Sequence, residues 1–144
     1  MNRLSPRNIP EIIDDLVITC IDHRFHGVIR ERLQDQHNVD LDKADRIAWP
    51  GSSKAVADGT LIPAVRTSHR LHNIKNIWLV DHQDCGGFGG LAAYNGDEHL
   101  EMEAHFESLE RAANVIHKVL PELVVTSFVA TLDGELTSAA NTSP

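Results

Sequence analysis

The chain has 144 residues, enough for one domain with its own hydrophobic core. A formal net charge of −8 argues against a nucleic acid or an anionic membrane as partner, because both require a basic surface. No apolar run is long enough for a membrane span, and the start of the chain lacks the apolar segment of a signal peptide. We therefore expect a cytoplasmic protein.

Short apolar runs alternate with longer amphipathic segments. The runs are rich in Val, Ile and Leu and predict strands over Leu16–Cys20, Arg46–Trp49, Asn76–Asp81 and Val124–Thr131. Alternation of this kind predicts a single α/β domain over residues 1–144, with a mostly parallel β-sheet flanked by helices. Residues 1–12 are expected to be a flexible lead-in, and the chain is expected to fray from Leu136 onward, with residues 137–144 as a flexible tail.

Three helices are predicted between the strands. The first covers Gly27–His37, the second runs from a cap at Thr60 to His72, and the third covers Glu98–Leu120 behind an N-cap at Asp97. On the third helix, a spacing of three and four residues predicts one buried face, formed by Phe106, Leu109, Ala113, Ile116 and Leu120. The histidines of that helix (His99, His105 and His117) and its glutamates are expected on the solvated face.

Both cysteines of the chain lie where a predicted strand ends. Cys20 ends the first strand, and His82 and Cys85 follow the third. Carboxyl ends of parallel strands form the usual ligand crevice of an open α/β sheet. Two thiolates and one imidazole suit Zn²⁺, and three protein ligands leave a fourth position open for chemistry. In a reducing compartment this use of the cysteines is favoured over a disulfide.

Asp22 and Arg24 follow Cys20 at spacings of two residues. In an extended chain, such residues point to the same side and would face one cleft. Arg24 is then placed to keep Asp22 ionised through a bidentate pair, so that Asp22 accepts a hydrogen bond from a zinc-bound hydroxide. If Arg24 released it, Asp22 would instead occupy the fourth position and close the site.

Two motifs carry a resemblance to a known family. Cys20-Ile21-Asp22-His23-Arg24 and His82-Gln83-Asp84-Cys85-Gly86 resemble the signature of the β-class carbonic anhydrases, and the resemblance extends from Leu16 to Leu136. It implies a dimer or higher homo-oligomer that hydrates CO2 reversibly to bicarbonate by a zinc-bound hydroxide. Cys20, His82 and Cys85 would be the zinc ligands, and Asp22 and Arg24 the catalytic pair.

The chain departs from that family at two places. The segment Trp49–Lys54 stands where members usually have an Arg-Asn-Ala-Gly-Asn type sequence, and Asp81 stands where a glycine commonly precedes the histidine. Ser52, Ser53 and Lys54 are interpreted either as an anion site for bicarbonate or as an ordinary polar turn.

Other functions compatible with the sequence differ in substrate or in class. The same zinc site would serve a hydrolase of carbonyl sulfide or carbon disulfide, or a non-catalytic zinc- or bicarbonate-binding protein with Asp22 on the metal.

The segment Gly86–Gly90, continued to Ala92, imitates a dinucleotide-binding turn. We interpret its glycines as close backbone packing behind the metal. Phe88 and Tyr94 are expected to line a lip of the cleft or a subunit interface.

Overall fold

A computed structural model describes residues 5–138 of the chain. These residues form a five-stranded sheet in the order β2-β1-β3-β4-β5. Its strands are β1 (Asp15–Thr19), β2 (Ala44–Ala48), β3 (Asn76–His82), β4 (Val124–Ala130) and β5 (Leu136–Ser138). The first four are mutually parallel, and β5 pairs antiparallel with β4 at one edge. The predicted fold class is therefore confirmed.

The described helices are α1 (His23–His37), α2 (Ser53–Ala57), α3 (Ile62–His72) and α4 (Glu98–Val119). Helix α1 begins four residues earlier than predicted, because the Asp22 carboxylate caps it by accepting a hydrogen bond from the Arg24 N–H. The cap predicted at Thr60 is wrong, since Leu61 occupies the N-cap of α3. The cap predicted for α4 is confirmed, because Asp97 accepts hydrogen bonds from the N–H groups of His99 and Leu100.

Two elements were not predicted. The short helix α2 lies in the Trp49–Lys54 region and continues beyond it. Strand β5 covers Leu136–Ser138, where a frayed tail was expected, because a tight turn with Gly134 at φ +87° returns the chain against β4. The remainder of the predicted tail, residues 139–144, and the first four residues of the lead-in lie outside the described part.

Hydrophobic side chains cover the sheet on both faces, as expected for parallel strands. Alternate residues of β1 point to opposite sides, so Val17 packs under α1 while Leu16 and Ile18 pack under α2, α3 and α4. None of the helices in residues 5–138 is long and apolar enough to cross a membrane. Because helices cover both faces of the sheet, polar side chains converge at the carboxyl ends of its strands.

The buried face of α4 differs from its prediction at one end. Leu109, Ile116 and Leu120 are buried as predicted, whereas Phe106 and Ala113 are only half-buried. Toward the start of the helix the buried residues are polar: Glu101, His105 and Ser108. The assignment of His105 and of Glu101 to a solvated face is therefore wrong. Their partners lie on β3 and the loop that follows it.

Candidate metal centre

Three side chains converge where β1 and β3 end side by side. Cys20 directly follows β1, His82 is the last residue of β3, and Cys85 lies three residues further on. One ligand atom from each residue lies within 4.8 Å of the others, and all three residues are buried. The two Sγ atoms are 3.9 Å apart. This spacing brings the predicted metal-binding residues together in a group that fits a metal ion.

His82 is oriented for a metal by its second ring nitrogen. Nδ1 lies 2.6 Å from the carbonyl oxygen of Gln83 and donates to it, which leaves the lone pair on Nε2. Nε2 is buried and has no hydrogen-bond partner within residues 5–138. Stacking on Phe25, at 4.2 Å between ring centroids, fixes the ring plane. A buried imidazole nitrogen without a partner costs free energy, and a metal ion would satisfy it.

The two cysteines are free thiols rather than a disulfide. The hydrogen bond from Cys85, followed by the His82 side chain and the N–H groups of Asp22 and Gly51, lowers the pKa of Cys20 against the opposing effect of burial. The Cys20 thiolate and burial together raise the pKa of Cys85. The pair therefore holds one negative charge readily and a second one only with a cation beside it. Because a metal binds both sulfurs as thiolates, this donor set fits Zn²⁺.

Asp22 and Arg24 form a close ion pair beside the three ligand atoms. The Arg24 Nη2 donates to the Asp22 Oδ2 at 2.7 Å, and its Nε lies 3.1 Å from both carboxylate oxygens. The guanidinium, followed by the Arg24 N–H, holds the pKa of Asp22 well below its usual range. Asp22 Oδ2 also lies 3.9 Å from His82 Nε2. An ionised carboxylate is thus held next to the place of a metal-bound ligand.

Arg24 is itself held from a second direction. Its guanidinium donates to the Asp84 side chain at 3.4 Å and to the Asp84 carbonyl at 3.2 Å. Asp84 in turn accepts the N–H of Leu91 at 2.8 Å. Arg24 therefore bridges the Cys20 segment and the His82–Cys85 segment, a role for Asp84 that the sequence analysis did not assign.

Behind the ligands, Asp81 is fully buried and takes three hydrogen bonds. It accepts from the N–H and the hydroxyl of Ser53 at 3.0 and 2.7 Å, and from the Nδ1 of His105 at 2.8 Å. The Ser53 hydroxyl also lies 2.8 Å from that of Ser108. Ser53 therefore serves Asp81 rather than an external anion. Asp81, which stands where the resembled family commonly has a glycine, is thus the centre of a buried polar network.

Gly87 and Gly51 bring the backbones of two loops into contact. A Cβ on Gly87 would lie 2.6 Å from the Cα of Gly51, so a side chain does not fit there. The close packing predicted for the glycine segment is confirmed at this position. The segment is not a dinucleotide-binding turn, because two 3-10 helices, Gly86–Phe88 and Leu91–Tyr94, stand where the α-helix of such a turn would begin.

Phe88 packs between α4 and α2. Its ring lies 4.2 Å from that of His105, and the Lys54 ammonium lies 5.2 Å from its centroid. Lys54 also donates to the Gly87 carbonyl at 3.1 Å. These contacts tie the glycine segment to α2 and α4. Among the other histidines of α4, His99 is exposed, as expected.

Comparison with known proteins agrees with this geometry. Residues 13–139 match a family model described as "Putative carbonic anhydrase", and the chain belongs to that family. An uncharacterized protein of Rickettsia bellii is 32% identical over 128 residues, which cover 83% of this chain and 77% of the relative. An uncharacterized protein of Rickettsia conorii is 31% identical over 131 residues, covering 83% and 68%.

Proposed function

We propose that this protein is a β-class carbonic anhydrase that catalyses the zinc-dependent, reversible hydration of CO2 to bicarbonate. The observation that carries the proposal is the group formed by His82 Nε2, a buried atom without a hydrogen-bond partner within the described residues, and the Sγ atoms of Cys20 and Cys85. The ion-paired Asp22 carboxylate lies 3.9 Å from that nitrogen. Family membership supports the reaction, and the β class accounts for the ligand motif.

Zinc held by these three residues supplies a Lewis acid that lowers the pKa of bound water toward neutrality. Asp22 has no proton to donate, because Arg24 holds its pKa low. Its Oδ2 therefore accepts a hydrogen bond from the attacking water or hydroxide and directs the lone pair of that oxygen toward the carbon of CO2. Arg24 keeps Asp22 in the carboxylate form and out of the metal's fourth position.

The non-catalytic alternative requires Asp22 to leave Arg24 and occupy the metal's fourth position. Three contacts of 3.1 Å or less hold Asp22 on the guanidinium, which supports an open site. The free thiols suit a reducing compartment, and we propose a cytoplasmic location.

We also propose that the protein is a homodimer or higher homo-oligomer. Three large apolar side chains at the carboxyl edge of the sheet are about half exposed: Ile21 at 56%, Trp49 at 45% and Leu132 at 48%. They follow β1, β2 and β4, at the same edge of the sheet as the ligand group. A second copy would cover them and complete the apolar wall that CO2 needs. Sedimentation equilibrium at micromolar concentration tests this; a monomer with fast CO2 hydration would contradict it.

The reaction is tested by stopped-flow CO2 hydration on protein whose zinc content has been measured. The wild type is expected to hydrate CO2 rapidly, and zinc-loaded Asp22→Asn is expected to be slower by a factor on the order of 100 or more. Asp42→Asn is the matched control, because Asp42 also pairs with an arginine of α1, Arg30, at 3.4 Å but lies away from the site.

Two outcomes would contradict the proposal in different ways. Fast hydration by zinc-loaded Asp22→Asn would remove Asp22 from the mechanism. Absence of hydration by the zinc-loaded wild type across pH 6–9 would remove the reaction. Hydrolysis of carbonyl sulfide or carbon disulfide by the same preparation would then assign the site to a CO2 analogue.

A further inference from the structure

Helix α4 presents a polar stripe to the segment that carries two of the three ligands. The stripe consists of Glu98, Glu101, His105 and Ser108, which share one helical face. Glu98 accepts from the Gln83 side chain at 3.2 Å, and Glu101 Oε2 accepts the Asp84 N–H at 2.6 Å. Each of these contacts reaches a residue between His82 and Cys85.

The other half of the stripe reaches the residue before His82. His105 donates from Nδ1 to Asp81, and Ser108 contacts Ser53, which itself donates to Asp81. Glu101 therefore holds the backbone after His82, and His105 holds the side chain of the residue before it. They are one helical turn apart, with Glu101 Oε2 at 4.0 Å from His105 Nε2.

Core packing alone does not explain these residues. Asp81, Glu101 and His105 are each 1% exposed or less, and burying a carboxylate is costly unless hydrogen bonds or an opposite charge compensate it. Apolar residues of similar volume would fill the same space without that cost. Glu101 Oε1 and His105 Nε2 also have no hydrogen-bond partner in residues 5–138, so the stripe keeps polar atoms that packing does not need.

Asp84 shows what the stripe accomplishes locally. Its backbone lies at φ +53°, a left-handed conformation that is uncommon for an aspartate. The Glu101 carboxylate accepts its N–H and thereby stabilises the reversal of the chain between His82 and Cys85. That reversal brings the Cys85 sulfur within reach of Cys20.

We propose that Glu101 and His105 are positioning residues that hold the His82–Cys85 segment in its metal-binding conformation before the metal arrives. The inference rests on the metal site of the proposed function. It adds that α4, rather than the zinc ion, organises this half of the site. Within the described residues, Glu101 and His105 form hydrogen bonds with Asp84 and Asp81 and none with a ligand side chain.

The wild-type protein provides a test that no substitution disturbs. Amide hydrogen exchange of Asp84 is measured by NMR in chelator-treated, metal-free protein. We expect the Asp84 amide to exchange much more slowly than in an unstructured chain, because Glu101 already accepts it. An Asp84 amide that exchanges at the unstructured rate until zinc is added would overturn the proposal.

Variants of α4 provide the second test, with zinc affinity measured by competition against a chelator. Glu101→Met keeps the volume and removes the acceptor, and His105→Phe keeps the contact with Phe88 and removes the donor. Each is expected to weaken zinc binding by about 10- to 100-fold. Glu101→Gln retains an acceptor oxygen for the Asp84 N–H and is expected to restore most of the affinity.

Ile116→Val is the control for a general loss of stability. Ile116 is buried on the same helix, in the apolar cluster, and its truncation removes core packing without touching the metal segment. It is expected to lower the unfolding midpoint and to leave zinc affinity unchanged. Folded Glu101→Met and His105→Phe proteins with wild-type affinity would overturn the proposal.

The visible spectrum of the Co²⁺-substituted protein separates this inference from the proposed function. Displaced ligands change the Co²⁺ bands of Glu101→Met, whether or not the protein hydrates CO2. A wild type that binds zinc in a preformed segment but does not hydrate CO2 would overturn the function and leave the positioning role intact. Fast hydration by a protein whose Asp84 amide is unprotected without metal would support the function and overturn the positioning role.

Discussion

The two segments that supply the candidate metal ligands are held in opposite ways. The Cys20 segment lies on the open side, where Asp22 and Arg24 are held mainly by each other, and the Arg24 side chain is 46% exposed. The His82–Cys85 segment lies on the closed side, against the buried carboxylates of Asp81 and Glu101. The open side can rearrange in solvent, whereas the closed side cannot move without breaking a buried network.

This contrast separates two requirements of a metal site. Fixed ligands need supporting hydrogen bonds from behind, which Asp81, Glu101 and His105 supply. In the proposed mechanism, Asp22 needs access to substrate and a controlled charge, and Arg24 controls that charge at the surface. Substitutions on the closed side should therefore change metal binding, and substitutions of Asp22 or Arg24 on the open side should change turnover at constant metal content.

The largest effect is expected from Cys85→Ser. A hydroxyl is a much poorer zinc ligand than a thiolate, so the two remaining ligands should not retain the ion. Metal analysis after dialysis is expected to show zinc in the wild type and none in the variant, with hydration at the uncatalysed rate. His99→Ala removes an exposed imidazole outside the site and is expected to behave as wild type. A zinc-containing Cys85→Ser protein would exclude Cys85 as a ligand.

On the open side, Arg24→Ala is expected to keep zinc and lose turnover by a factor on the order of 100. Without the guanidinium, Asp22 loses its partner and is free to move toward the metal. Arg30→Ala, which removes the other Asp–Arg pair of α1, is expected to retain full activity. Stopped-flow hydration and zinc content are measured on both. Loss of zinc from Arg24→Ala would show that the open side also holds the metal.

Gly87→Ala tests the close backbone contact between the Gly51 loop and the Gly87 loop. The new Cβ would lie 2.6 Å from the Gly51 Cα, and both loops would have to separate. We expect a loss of about 1–3 kcal/mol in the free energy of unfolding, measured by urea denaturation. Gly86→Ala is the matched control, because its Cβ would meet nothing within 4 Å. Equal stability of the two variants would mean that the Gly51–Gly87 contact relaxes freely.

Much of the fold was predictable because its signals are local. Runs of Val, Ile and Leu mark β1 and β3, and each run is followed by residue types that commonly bind metals. Strand β5 was missed because Leu136–Ser138 is too short to show a pattern and depends on pairing with β4. Helix α2 was missed because five residues make little more than one helical turn, too few for an apolar spacing to repeat.

The closed side of the site was missed for a different reason. His105 and Glu101 were assigned to solvent because charged residues usually lie there, and their partner Asp81 is distant in sequence. One signal was available: Glu101 and His105 precede Leu109 at intervals of four residues and so extend the buried stripe. A second signal was Asp81, because a carboxylate near the end of a buried strand needs a buried polar partner.

The smallest expected effect concerns the stability of the metal-free protein at acid pH. Arg24 holds the pKa of Asp22 below its unfolded value of about 4, so the folded state binds fewer protons there than the unfolded state. The stabilisation from this pair is therefore complete above about pH 4 and is lost as the pH falls toward the folded pKa. Asp22→Asn lacks this stabilisation, so the difference between its urea midpoint and that of the wild type should narrow on acidification. A difference that stays constant from pH 6 to pH 3 would mean that the pair does not stabilise the fold. The effect should be small, because solvent screens exposed ion pairs. If the Asp22–Arg24 pair serves turnover rather than folding, its loss should have a small effect on stability and a large effect on turnover.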